Sequence, residues 1–152
     1  MLTLLDEFRQ VITALNEEKI EYAICGGIAM AIHGFLRTTV DIDIVILQEN
    51  IQITKQVLHK YGYSIESNPM NFSSSDTIIH RITKLDPVSE DFLVLDILEV
   101  TNSMKEIWEN RIQIDWTFGS ISVIDKKGLI AMKKKRNSKI DQEDIERLEA
   151  NE

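Results

Sequence analysis

Apolar residues near the start of the chain recur at intervals of three and four positions. This spacing predicts a helix with one buried face, and Thr3 with Asp6 can cap its first turn. The apolar positions are Leu4, Leu5, Phe8, Val11, Ile12 and Leu15. The same periodicity predicts further helices over residues 28–33, 51–61, 102–109, 127–136 and roughly 142–150.

Short runs rich in isoleucine, valine and leucine lie between these helices and predict strands. The run Val40–Leu47 alternates as far as Ile44 and is wholly apolar afterwards, so we expect its acidic start at a sheet margin. Residues 68–76 are predicted to be a surface loop because asparagine, proline, serine and aspartate predominate there. The other strand candidates are residues 21–25, 63–66, 77–83, 92–98, 112–116 and 120–124, the last two forming a hairpin.

The order of these elements predicts an α+β (mixed α/β) fold with a mixed sheet of about five strands flanked by helices. The chain has 152 residues, of which 43% are hydrophobic and 28% charged, so disordered, collagen-like and coiled-coil classes are excluded. We expect one domain over residues 1–152, with residues 126–152 as a C-terminal helical tail.

The first residues carry neither a basic cluster nor a long apolar run, and no stretch of the sequence is apolar enough to span a membrane. Cys25 is the single cysteine, so an internal disulfide is excluded. These features predict a cytoplasmic protein with no membrane partner.

Charge is distributed unevenly along the chain. The net charge is −8, yet residues 126–139 contain seven basic residues and no acid. Two interpretations remain open: a solvated helix face, which is the usual role of such runs, or a contact for a polyanion such as tRNA.

Asp41 and Asp43 lie two positions apart in the predicted strand 40–47. Their side chains therefore point to the same side, about 7 Å apart, and can converge on one divalent cation. Magnesium is usually held by one or two carboxylates together with substrate phosphates. The alternative is an exposed strand face on which the two acids only maintain solubility.

Asp96 stands in a run that is otherwise apolar on both faces. A buried carboxylate is costly unless it is paired or bound to a metal, so Asp96 needs a partner. One candidate is a base such as Arg81. The other is a metal shared with Asp41 and Asp43, if the strands that carry them are neighbours.

Gly26 and Gly27 follow a strand and precede a helix. Backbone N–H groups at such a position attract phosphate, but a tight turn or close packing would equally require glycine.

The segment Gly26–Asp43 resembles the signature of the DNA polymerase β-type nucleotidyltransferase superfamily, in the small bacterial branch that includes AbiEii-like toxins. The shared pattern is a Gly-Gly turn, an alanine, a histidine and then Arg-Thr-x-Asp-x-Asp. Asp96 in its Leu-Asp-Ile-Leu setting supports the resemblance, as does the ending Leu129–Lys133 followed by Asp141 and Asp144.

The resemblance implies transfer of a nucleoside monophosphate from an NTP to an acceptor by a two-metal Mg²⁺ mechanism. It assigns the metal and the catalysis to Asp41, Asp43 and Asp96, with Asp96 also helping to activate the acceptor hydroxyl. The expected nucleotide-binding residues are Gly26, Gly27, Arg37, Thr38 and Lys133. Arg37 alternatively pairs with a site acid, and Lys134, Lys135 or Arg136 could replace Lys133.

The chain departs from the pattern of the family at two points. Many active members have Gly-Ser where this chain has Gly26-Gly27, which removes one hydroxyl from the phosphate site. The chain is also about half as long as the larger abortive-infection toxins, so the acceptor remains open: RNA such as tRNA, a protein such as an antitoxin, or a small molecule. The alternative functions are an inactive binding or regulatory module and an antibiotic-modifying adenylyltransferase.

Overall fold

The computed structural model describes residues 1–36, 38–117 and 119–150. The helices in these ranges are α1 (Leu4–Glu17), α2 (Gly26–Ile32), α3 (Ile51–His59), α4 (Lys105–Glu109), α5 (Lys126–Arg136) and α6 (Lys139–Ala150). The strands are β1 (Ala23–Cys25), β2 (Ile42–Ile46), β3 (Ile65–Glu66), β4 (Met70–Phe72), β5 (Thr77–Leu85), β6 (Phe92–Glu99), β7 (Ile112–Trp116) and β8 (Gly119–Val123). None of the described helices is both long and apolar enough to cross a membrane.

The strands form one mixed sheet in the order β3-β5-β6-β2-β1-β8-β7, and β4 pairs with β5 beside β3. The pairs β2–β6 and β1–β8 are parallel, whereas the other pairs are antiparallel. This confirms the predicted mixed sheet flanked by helices. The expected number of strands was wrong, because the described residues form eight rather than five.

The interior of the fold follows the predicted periodicities. In α1 the side chains of Phe8, Val11, Ile12 and Leu15 are buried, and Thr3 caps the helix by accepting a hydrogen bond from the Asp6 backbone. The central strands β2 and β6 lie side by side and are apolar on both faces over most of their length. Asp43 and Asp96 are therefore placed in the best-buried part of the sheet.

Residues 68–76 were predicted to be a loop, but Met70–Phe72 form β4 and Ser73–Ser75 form a 3-10 turn. The reason is non-local. The long strand β5 has backbone groups on its outer edge that need hydrogen-bond partners. Strand β3 pairs with it at Ile82 and Thr83, and β4 pairs with it at Thr77–Ile79.

Candidate active site

Four neighbouring strands place four side chains in one row across the sheet. Cys25 in β1 lies opposite Asp43 in β2, Asp43 lies beside Asp96 in β6, and Asp96 lies opposite Arg81 in β5. Residues in direct register point to the same face of a sheet. The row therefore brings two of the predicted site acids together from residues that are 53 positions apart in the sequence.

Asp41 belongs to the same electrostatic cluster. It precedes β2 by one residue and is close enough to Asp43 for its charge to raise the pKa of that residue. Partial burial raises its pKa, and the charge of Asp96 raises it further. The three predicted acids thus interact with one another.

Asp43 is the most strongly perturbed of these acids. Burial raises its pKa to about 7, and the negative charges of Asp96 and Asp41 contribute. The positive charges of Arg136 and Arg81 act to lower the pKa of Asp43, but their effect is smaller. Within the described part of the chain, no group donates a hydrogen bond to the carboxylate of Asp41 or Asp43.

Asp96 has the partner that its burial required. Arg81 donates from Nε to Oδ1 at 2.8 Å and from Nη2 to Oδ2 at 3.0 Å. The side chain of Asp96 is only 9% exposed, whereas that of Arg81 is 40% exposed. The ion pair with Arg81 that the sequence suggested is thus present, and Asp96 is also the register neighbour of Asp43, as a shared metal would require.

The donor set suits a divalent cation only in part. Asp43 and Asp96 offer hard oxygen ligands side by side, yet both oxygens of Asp96 already accept hydrogen bonds from Arg81. Across residues 1–36, 38–117 and 119–150, no three His, Cys, Asp or Glu side chains are close enough to hold a metal ion by themselves. Phosphate oxygens from a substrate would supply the remaining ligands, as is usual for Mg²⁺.

Gly26 lies against the row of acids and starts α2. A Cβ built on it would stand 2.2 Å from Oδ2 of Asp43, and its φ of +68° is one that side chains rarely adopt. Glycine at this position therefore lets the backbone approach the Asp43 carboxylate closely.

Gly27 is required for a different contact. A Cβ there would lie 2.6 Å from Oγ1 and 2.7 Å from Cβ of Thr39. The loop before β2 thus packs directly on the Gly27 backbone, and a serine would collide with it. This gives a structural reason for Gly-Gly in place of Gly-Ser.

The remaining residues of the signature contribute less to the described geometry. Arg37 lies outside the described residues. Thr38 is exposed, just before the loop residue Thr39. His33 donates from Nε2 to the backbone oxygen of Ile124 at 2.8 Å and so fixes the end of α2 against the segment after β8.

A cleft of ≈ 360 Å³ opens over the row of acids. Its lining includes Asp43 and Asp96, the basic residues Lys133, Lys135 and Arg136 of α5, and the segment from β4 to the start of β5. The apolar part of the lining is formed by Cys25, Phe72, Ile79, Leu98, Met104, Leu129 and Met132. The cleft thus combines an acidic side, a basic side and an apolar surface, which matches the chemistry of a nucleotide with its metal.

Helix α6 holds the basic side of the cleft in place. Lys133 is buried and donates to Asp144 at 2.9 Å, with Asp141 4.0 Å away. Arg136 donates from Nε to Asp141 at 2.7 Å, while its side chain stays 68% exposed. Burial acts to raise the pKa of Asp141, but the hydrogen bonds from Arg136 and Ser138 lower it overall.

Lys133 lines the cleft, but its ammonium group is paired with Asp144 of α6. Lys135 and Arg136 are better presented to a ligand. Lys135 Nζ donates to Ser103 Oγ at 2.6 Å, and Arg136 is close enough to lower the pKa of Asp43.

Sequence reasoning missed the segment Phe72–Thr77 as a wall of the cleft. Asp76 in this segment accepts a hydrogen bond from the Ser103 backbone at 3.0 Å through its carboxylate and one from Thr101 Oγ1 at 2.7 Å through its carbonyl. The only signal in the sequence was a cluster of hydroxyl residues, which loops commonly have.

The mixed sheet, the acids on its two central strands and the basic cleft define a nucleotidyltransferase type of domain. The chain belongs to such a family: the model described as "Nucleotidyltransferase of unknown function (DUF6036)" matches residues 1–150. This confirms the predicted class of enzyme. The finer resemblance to AbiEii-like toxins is not part of that match and stays a prediction. No curated protein matches the sequence.

Two solved structures have a similar fold. One is a protein of Thermotoga maritima (TM1012), provisionally described as a nucleotidyltransferase, with a TM-score of 0.64 and 14% identity over 97% of this chain and 92% of that chain. The other is ANT(2")-Ia in complex with adenylyl-2"-tobramycin, with a TM-score of 0.54 and 12% identity over 85% of this chain and 73% of that chain. At these identities the likeness concerns the fold.

Proposed function

We propose that this protein is a Mg²⁺-dependent nucleotidyltransferase that moves a nucleoside monophosphate from an NTP to an acceptor hydroxyl. The observation that carries the proposal is the direct register of Asp43 and Asp96 on adjoining parallel strands, with Asp41 close enough to raise the pKa of Asp43. Carboxylates that repel one another inside a cleft are stabilised by a bound cation, which favours a metal site over a merely soluble strand face.

In the proposed reaction, the acceptor oxygen forms a bond to the α-phosphorus while the bond from that phosphorus to the bridging oxygen of the β-phosphate breaks. Pyrophosphate leaves, and the hydroxyl proton passes to a carboxylate of the site, which the resemblance identifies as Asp96. A bound Mg²⁺ would lower the pKa of the acceptor hydroxyl and neutralise charge on the phosphates.

The protein's own residues bind and orient the nucleotide. Lys135 and Arg136 offer positive charge to the triphosphate from α5, and Lys133 adds to the potential from its buried position. The close approach of the Gly26 backbone to Asp43 supports a phosphate position beside the metal ligands. Gly27, Arg37 and Thr38 remain proposed phosphate contacts, on the strength of the resemblance alone.

One observation favours the alternative of a binding or regulatory module without catalysis. Arg81 engages both oxygens of Asp96, which is the arrangement expected of a structural ion pair. The two functions predict different results in a direct assay of nucleotide transfer.

The assay incubates the protein with Mg²⁺ and each α-labelled NTP, beside the variants Asp41→Asn and Asp43→Asn. Asp115→Asn serves as the matched control, because Asp115 is an exposed strand acid on the far side of the sheet. We expect label transfer by the wild type and the control and its loss in both site variants. Transfer that survives both site substitutions would refute the mechanism, and no transfer to any acceptor would favour the module.

The acceptor is addressed by supplying three classes separately: total bacterial RNA, lysate protein and small hydroxylated molecules including aminoglycosides. The aminoglycoside arm is suggested by the adenylylated tobramycin bound to ANT(2")-Ia. If RNA is the acceptor, its binding should weaken steeply with salt, and less steeply when Lys135 and Arg136 are both replaced by alanine.

The proposed toxin or phage-defence role is tested in cells. We expect expression of the wild type to arrest bacterial growth and expression of Asp43→Asn to leave it unaffected. Equal growth with both proteins would remove the toxin role while leaving the enzymatic proposal intact.

A further inference from the structure

Arg81 is held opposite Asp96 by the pairing of β5 with β6. Its guanidinium uses two parallel hydrogen bonds, at 2.8 and 3.0 Å, to occupy both oxygens of the carboxylate. The side chain of Asp96 is almost fully buried, but that of Arg81 is 40% exposed. The arginine is therefore partly open to solvent, while its partner is buried and, unlike Arg81, lines the cleft.

Arg81 also offsets the charge of the other two acids. It acts against the increase in pKa of both Asp41 and Asp43 that burial and Asp96 produce. Arg81 thus occupies the electrostatic position that a divalent cation would take beside Asp96.

This arrangement sets a condition for metal binding. A divalent ion that uses Asp96 must displace at least one of the two guanidinium hydrogen bonds, and the positive charge of Arg81 repels it. A triphosphate relieves both effects. It supplies oxygens that complete the coordination of the metal, and it offers the guanidinium another planar pair of anionic oxygens.

We propose that Arg81 is a positioning residue that occupies Asp96 until a nucleoside triphosphate arrives, so that metal and nucleotide bind to this site together. This inference rests on the proposed function, because it assigns the metal to Asp96. By linkage, the nucleotide must strengthen metal binding by the same factor as the metal strengthens nucleotide binding, and such couplings are commonly about 5- to 150-fold.

The test measures Mn²⁺ binding by electron paramagnetic resonance, with and without a non-hydrolysable α,β-methylene analogue of ATP. For the wild type we expect weak binding of Mn²⁺ alone and an increase in affinity of about tenfold or more with the analogue. For Arg81→Gln we expect Mn²⁺ alone to bind about tenfold more tightly than to the wild type and the nucleotide to add much less. An Arg81→Gln protein with wild-type affinity and wild-type coupling would overturn the inference.

Two further variants keep the test decisive. Arg81→Lys retains the charge and guards against misfolding of the glutamine variant; it cannot engage both oxygens in the same way, so we expect an intermediate gain in Mn²⁺ affinity. Arg111→Gln is the matched control, since Arg111 donates to Glu21 at 2.7 Å, away from the cleft residues. It should leave Mn²⁺ binding unchanged, and a gain equal to that of Arg81→Gln would overturn the inference.

The result also separates this inference from the proposed function. If the wild type binds Mn²⁺ in the presence of the analogue and the Arg81 variants bind it with the same affinity and the same coupling, only the role of Arg81 fails. If neither the wild type nor Arg81→Gln binds Mn²⁺ even with the analogue, the metal-dependent function fails and the role of Arg81 fails with it.

Discussion

Replacement of Asp43 by asparagine should make the folded protein more stable at neutral pH. Burial and the neighbouring carboxylates raise the pKa of Asp43 to about 7, against an ordinary value of 3.8. The unfolded chain therefore releases this proton near pH 3.8, while the folded chain keeps it until about pH 7. Between these values the unfolded state binds fewer protons, so the contribution of Asp43 to stability falls as the pH rises.

The size of the change in stability follows from the difference between the pKa of Asp43 in the folded chain and in the unfolded chain. Each unit of pKa corresponds to ~1.4 kcal/mol, so the cost of the charged Asp43 above pH 7 is at most ~4 kcal/mol. We expect the free energy of unfolding of Asp43→Asn, relative to that of the wild type, to increase by between ~1.4 and ~4 kcal/mol from about pH 4 to about pH 7 and then to level off.

The measurement is urea denaturation across this pH range, with a chelator present to exclude divalent cations. The variant Asp115→Asn, which removes an exposed acid from a strand remote from Asp43, should run parallel to the wild type. A stability difference between Asp43→Asn and the wild type that does not change with pH would refute the reasoning, since a purely steric effect of the substitution has no such dependence.

Two other substitutions test the supports of the cleft by the same denaturation assay. Asp144→Asn should lower the free energy of unfolding by about 3 kcal/mol, because it removes the hydrogen-bonded partner of the buried Lys133 and leaves, among the described residues, the carboxylate of Asp141 4.0 Å away. Glu149→Gln on the exposed side of α6 should cost under about 0.5 kcal/mol, and equal costs would contradict the buried pair. Gly27→Ala should lower the free energy of unfolding by about 1–3 kcal/mol through the collision with Thr39. The double variant with Thr39→Gly should lose less stability than the two single variants added together. Strict additivity would show that the contact with Thr39 does not limit position 27.

The elements that could be predicted from the sequence are those defined by local pattern. The periodicity and cap of α1 were sufficient to predict the helix and its first turn, and the hairpin of β7 and β8 followed from two apolar-rich runs around a short turn. The acids were also visible, because a carboxylate in an otherwise apolar strand such as Asp96 always requires an explanation.

The parts that could not be predicted depend on contacts between distant residues. The choice of Arg81 as the partner of Asp96 is fixed by the register of β5 with β6, which no local pattern encodes. In the same way, β4 forms by pairing with the edge of β5, which is a contact with a later part of the chain. The local composition of residues 68–76 does not encode that contact and therefore indicated a loop.

The basic segment shows the same limit for charge. In the sequence, residues 126–139 look like a continuous surface for a polyanion. In the structure, the acids of α6 pair with Lys133, Lys134 and Arg136, so much of that charge is compensated from within the chain. The choice between a solvated helix face and a binding surface therefore depends on the remaining charges of the segment, of which Lys135 and the exposed part of Arg136 lie at the cleft.

The backbone of Arg81 is tied from two directions, by β6 on one side and by a hydrogen bond from the Ser67 amide to its carbonyl, 3.1 Å long, on the other. The proposed change of partner at this residue would thus leave the main chain in place and would need only the breaking of two hydrogen bonds and rotation about side-chain bonds. A site built in this way would exchange one partner for another without the movement of a loop or a domain.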